Sequence, residues 1–214
     1  MSATHFMLFA SCALLVACAK DDDLEPTPAP TPAEDILYTE LDSNLKLTSV
    51  DTLIFHPSGC GMIPSPSDSS ASRSIDVNND GAADFTIACG TWYYFVSASG
   101  PCANYNTSIT ITGASEDRKI SITSNYNTVA RYAENDVIDN TQNWVSTATL
   151  MLSSATAPFS TNFNGTTYIG LKIGSDQGDR FAWLRLRKEG YVLTLYSHAI
   201  AASSTGQILA GQTE

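Results

Sequence analysis

Asp76, Asn78 and Asp80 place side-chain oxygens at alternate positions of a short segment, Gly81 follows directly, and Asp84 falls three residues later. Hard oxygen donors at that spacing, turned by a glycine, suit a divalent cation such as Ca2+. Ala82 adds a backbone carbonyl at the position where calcium loops use one. The twelfth position is Ile87 rather than a bidentate Glu, and the strand-like run Phe85-Thr86-Ile87 stands where an EF-hand would begin its second helix. The expected arrangement is therefore a DxNxDGxxD loop between two β-strands, its shell completed by water or a distant carboxylate. Asp76, Asp80 and Asp84 repel one another unless a cation neutralises them. Without a metal the same residues make an Asx-rich turn. The expected ion is structural: it pins the turn rather than reacting with a substrate.

Cys18 carries the second chemistry. The apolar run from Phe6 to Ala17 is too short to span a bilayer and has the length of a signal-peptide core. Leu15-Val16-Ala17-Cys18 resembles a bacterial lipobox, which implies cleavage before Cys18 and acylation of its thiol. Lys20-Asp21-Asp22-Asp23 resembles the export signal of Bacteroidota surface lipoproteins. That resemblance implies a chain held in the outer membrane by lipid at Cys18 and facing outward. The start of the chain departs from the usual signal in having no Lys or Arg before Phe6.

Other reactive residues form no recognisable set. His56 and His198 lie outside any His-Glu-x-x-His zinc motif, and no Gly-x-Ser-x-Gly elbow occurs. His56 and Cys60 lack a third orienting group. Past Cys18 the cysteines are Cys60, Cys89 and Cys102. A turn at Ser99-Gly100-Pro101 favours a Cys89–Cys102 disulfide in an oxidising compartment; Cys60 is an alternative partner for either, and three reduced, buried thiols are another outcome. In the run Trp92-Tyr93-Tyr94-Phe95 alternate residues face opposite sides of a strand. One pair then belongs to the core, and Trp92 with Tyr94 is the candidate stacking platform for sugar rings. Arg185 and Arg187 alternate with Leu184 and Leu186, which reads as a solvated strand face.

The elements that must position these residues are strands. Residues 1–17 are the expected signal, 18–35 a lipidated and Pro-rich tether, and 36–214 the folded domain. Glu25 to Pro32 alternates with proline, which fixes φ and lacks an N–H, so the tether is expected to be polyproline II at ~3.1 Å per residue. Beyond Ile36 no long amphipathic helix pattern occurs. Short β-branched runs recur instead, among them Leu53-Ile54-Phe55, Ser108 to Thr112, Val145 to Leu152, Tyr168 to Ile173, Phe181 to Leu186 and Tyr191 to Tyr196. The expected class is all-β, a β-sandwich or jelly roll. Residues 56–70 read as a long loop of Pro, Gly and Ser.

Ser74 to Phe85 is similar to the strand, Asp-rich loop, strand unit of secreted bacterial β-sandwich proteins, some of which carry lipoprotein anchors. Tyr168-Ile169-Gly170-Leu171-Lys172-Ile173, then Phe181 to Leu186, then Gly206 to Gln212 follow the order of their C-terminal strands. The chain departs from that pattern at Ala182, where Gly is usual, and at His198-Ala199-Ile200. The resemblance implies fold and anchoring and supplies no activity. The net charge of −11 argues against nucleic acid as a partner. The resulting expectation is a lipid-anchored, calcium-binding surface module that captures glycan or protein without catalysis. A polysaccharide hydrolase and a structural envelope lipoprotein are the two alternatives.

Overall fold

A computed structural model describes residues 35–48, 53–55, 62–64, 69–95, 103–123, 127–154, 165–189, 192–204 and 206–214. Residues 1–34, which hold the expected signal, Cys18 and nearly all of the expected tether, and His56, Cys60 and Cys102 lie outside the described residues. The strands are, in chain order, β1 Ile36–Thr48, β2 Leu53–Phe55, β3 Met62–Pro64, β4 Ser69–Ile75 and β5 Phe85–Phe95. They continue with β6 Ala103–Gly113, β7 Arg118–Ile122, β8 Arg131–Tyr132, β9 Val137–Asp139 and β10 Asn143–Val145. The last are β11 Thr147–Ser154, β12 Gly165–Ile173, β13 Arg180–Glu189, β14 Val192–Ala201 and β15 Gln207–Leu209. The described residues contain no helix, and the all-β expectation holds.

The larger sheet has the order β1-β14-β13-β12-β7-β10, with β8 also on β12; the smaller has the order β11-β6-β5-β4. Every pairing between these strands is antiparallel. Period-two alternation explains how the sheets meet. Phe85, Ile87 and Cys89 of β5 and Ile109 and Ile111 of β6 turn inward, against Ile169 and Leu171 of β12, Leu184 and Leu186 of β13, and Leu193 and Leu195 of β14. These side chains form one apolar core between two sheets, the arrangement of a β-sandwich.

A second, smaller core lies on the opposite face of the larger sheet. Phe181, Trp183 and Ala199 are covered there by Ile138 of β9, Ile208 of β15 and Ala210. β15 pairs with β9, centred on Ile208 opposite Ile138. This cover explains β13, in which Phe181 through Leu184 are buried without interruption. Past Leu184 the cover ends and alternation returns, with Arg185, Arg187 and Glu189 exposed between buried Leu186 and Lys188. The solvated face expected for the two arginines is what the strand presents.

One reading changes: residues 56–70, read as loop, include β3, whose Ile63 pairs with Ile54 of β2. Of the expected disulfide, Cys89 is a free, buried thiol, and Cys102, like the alternative partner Cys60, lies outside the described residues. The β5–β6 hairpin sets Cys89 opposite Ile109 and Phe95 opposite Ala103. Burial pushes the Cys89 thiol up to about 11, which removes the reactive thiolate at neutral pH. Cys89 is therefore expected to ignore maleimide in the folded chain and to label fully in denaturant without reductant. Absence of label under denaturing, non-reducing conditions would show an oxidised Cys89.

Candidate functional site

The Asp-rich segment is the loop between β4 and β5. Asp84 N–H donates to Ile75 O at 2.9 Å and closes it. Val77, fully buried in the sandwich core, holds it from below. The loop above is wound on its own carboxylates. Asp76 accepts the N–H of Asp80 at 3.2 Å and of Gly81 at 2.7 Å. Asn78 Oδ1 accepts the Asp80 N–H at 3.0 Å, and Asp80 Oδ1 accepts the Ala82 N–H at 2.8 Å. This winding needs two left-handed residues, Asn79 at φ 58° and Gly81 at φ 89°; asparagine and glycine are the residue types that tolerate it. Asn79 Nδ2 donates to Thr39 Oγ1 at 3.1 Å and ties the loop tip to β1.

Asp80 is fully exposed at the tip. The Ala82 N–H and the Asn78 amide, which donates to Asp80 Oδ2 at 2.8 Å, hold its carboxyl below the usual range. Asp84 is different, with only 2% of its surface exposed. Its Oδ2 accepts the N–H of Val77 at 2.9 Å and of Asn78 at 3.3 Å, and its Oδ1 takes Arg118 Nε at 2.6 Å. Arg118 Nη1 also reaches Gly174 O at 3.4 Å. A guanidinium from β7 thus neutralises the carboxylate that the spacing assigns to a metal.

Arg180 and His198 complete the floor. Arg180 Nε donates to Ala201 O at 2.8 Å, and its burial lowers the pKa against the opposing pull of Asp84. His198 is buried on β14 opposite Leu184 of β13. Burial holds its imidazole below the ordinary value, with Asp76 and Asp84 pulling weakly the other way.

Tested against a calcium ion, the donors divide. Asp76, Asn78 and Asp80 sit on one wound turn with exposed oxygens of the right hardness, and Ala82 follows in the chain; Asp84 faces inward to Arg118. Among the described residues no group of three His, Cys, Asp or Glu side chains stands together as a ready-made cage, so any shell here leans on Asn78, a backbone carbonyl and water. Trp92 and Tyr94 run in β5 opposite Asn106 and Asn104; their side chains lie outside the described residues. Arg118 is 34 positions from Asp84, and no sequence spacing announces that pair.

Trp183 and Trp144 read from the sequence as core residues, and Trp183 is buried; sequence reasoning passed over the two tyrosines that pack against Trp183. Trp183 packs edge-on against Tyr168 at 5.4 Å between ring centroids and tilted against Tyr38 at 6.1 Å. Its indole N–H donates to Gln212 O at 3.0 Å. The period-two placement of Tyr168 on β12 was the available signal. Comparison of the chain with protein-family models, with curated proteins and with solved structures finds no match.

Proposed function

We propose that this chain is a lipid-anchored, outward-facing module of the bacterial outer membrane that captures a glycan or protein without catalysis, and that its Asp-rich loop takes a structural calcium ion. The observation that carries the calcium reading is the winding of the loop: backbone N–H groups of Asp80 and Gly81 already converge on Asp76, with Asn79 and Gly81 left-handed. That conformation holds Asp76, Asn78 and Asp80 close together before any ion arrives and so lowers the ordering cost of binding. Asp76, Asn78, Asp80 and the Ala82 carbonyl would hold the ion, with water standing in for Asp84. The lipobox at Leu15-Val16-Ala17-Cys18 supports the anchor.

Calorimetric titration of calcium into the chelator-treated full chain, solubilised in detergent, tests the loop. A ligand that binds only the folded state stabilises it by about 2.7 kcal/mol at a hundredfold excess over Kd. For a domain of this size that raises Tm by roughly 5–10 °C. Asp80→Ala, at an exposed position, is expected to abolish both the heat and the shift while leaving Tm in chelator nearly unchanged. No heat and no shift in the native chain would reduce the loop to an Asx turn.

A further inference from the structure

The uncovered half of the larger sheet's outer face carries a second feature. Across β1, β14, β13 and β12, one row reads Tyr38, Ala199, Trp183, Gly170. The next reads Glu40, Ser197, Arg185, Tyr168, and a third reads Lys46, Thr194, Arg187, Thr166. Tyr38 and Tyr168 pack against the Trp183 indole, while Ser121 and Ile138 close over Gly170. Trp183 is buried and fixed by its bond to Gln212, so it acts as a rigid backing for two tyrosines. Tyr38 is 43% exposed and Tyr168 half-buried. The pairing slips between Arg185 and Leu186, and Tyr196 lies with its ring centroid 5.5 Å from the Arg185 guanidinium.

This face, with three basic residues against Glu40 and Glu189 and with Glu134 beside Tyr168, is less acidic than the chain as a whole. Lys46, Arg185 and Arg187, three of 11 basic residues, share it in a protein of net charge −11. Arg187 is paired to Glu189. Arg185 is exposed, and among the described residues no carboxylate lies within ion-pair distance of it. Glu40 is two strands away, roughly 10 Å across the sheet. An exposed guanidinium flanked by tyrosines, with Thr166 nearby, offers a bidentate partner for an oxyanion and stacking faces for the apolar sides of a ring.

From this face we infer a binding site for an anionic polysaccharide, a sugar chain bearing carboxylate or sulfate groups. Arg185 takes the oxyanion, Tyr38, Tyr168 and Tyr196 stack the rings, and Lys46 adds a second positive charge one row away. The inference deepens the proposed capture function and rests on it. The protein's remote negative charge does not forbid it, because the Debye length is about 8 Å at physiological salt.

The test is calorimetry of the full chain in detergent with three probes in the presence of calcium: short galacturonate oligomers, sulfated dextran oligomers and neutral dextran oligomers. Binding of either anionic probe, with none to neutral dextran, is expected. Arg185→Ala is expected to weaken it at least tenfold, Tyr38→Ala severalfold, and Arg73→Ala on the other sheet not at all. The two anionic arms tell carboxylate from sulfate. No binding to either anionic probe, equal binding to the neutral one, or equal loss in Arg73→Ala would overturn the inference. Calcium-induced stabilisation of Arg185→Ala, read in the same samples, reports the loop separately: a failure of the sugar site leaves that shift intact.

Discussion

Asp84→Ala is expected to destabilise the fold by about 3 kcal/mol or more, and to do so equally in calcium and in chelator. A buried ion pair broken on one side leaves an uncompensated charge, which typically costs about 3–5 kcal/mol. Here the loss strands the Arg118 guanidinium and two backbone N–H groups, of Val77 and Asn78, that Asp84 receives at 2.9 and 3.3 Å. The Arg118 side chain keeps 22% of its surface, so water relieves part of the penalty and the lower end of the range is expected. Arg180 adds to the cost, since Asp84 is the anion that offsets its burial. Urea unfolding of Asp84→Ala, Arg118→Met and the double variant measures the coupling. A double variant close in stability to either single one is expected, because removing the second partner relieves the charge left by the first. Strictly additive costs would sink the pair as a unit. The comparison with Asp80→Ala separates two roles that the spacing alone merges: Asp80 variants are to lose only what calcium adds, Asp84 variants what the fold has without it.

That contrast shows where the sequence was readable. The strand class followed from alternation, and Leu184 and Leu186 between Arg185 and Arg187 gave both the face and the solvent side of β13 correctly. Phe85-Thr86-Ile87 and Trp92-Tyr93-Tyr94-Phe95 stand in the sequence as two separate runs; the hairpin joins them through Gly90 into one strand. β4 was legible only as the strand that must precede the Asp loop, because its exposed Ser72, Arg73 and Ser74 bury nothing. An edge strand can be held by backbone bonds and a few inward residues such as Ile75, and polar side chains carry no period to find. The slip between Arg185 and Leu186 matters more. Simple alternation from Leu193 and Leu195 would place Ser197 and Ala199 inward and His198 outward. One extra residue reverses the parity, puts His198 under the Asp loop and frees Ala199 for Trp183. A bulge is a property of two strands together, so neither strand's sequence announces it.

Trp183→Ala is expected to cost about 3–5 kcal/mol, the usual range for truncating a buried aromatic residue. The size follows from what surrounds the indole. It is the largest fully buried side chain among the described residues; it contacts Tyr38 and Tyr168, and its N–H is bonded to Gln212 O at 3.0 Å. The flanking positions Ala199 and Gly170 are small and do not fill the space that it vacates. Trp183→Phe keeps much of the ring and loses the N–H, so it isolates the bond to the C-terminal segment. A loss of about 1–2 kcal/mol is expected for it, from an orphaned carbonyl and a smaller ring. Hydrogen exchange distinguishes the two contributions. In Trp183→Phe, protection is expected to fall first at the amides of β15, whose strand partner is β9 and whose Leu209 N–H donates to Gln212 Oε1, while β13 and β14 keep theirs. Global unfolding energies for Trp183→Ala under about 1 kcal/mol would mean that the outer cover is an accessory, not a core. The backing role makes a further demand on the same variants. If Trp183 fixes Tyr38 and Tyr168, then Trp183→Phe must weaken anionic-sugar binding although residue 183 itself is buried and touches no ligand, and Arg185→Ala must weaken that binding without loosening β15.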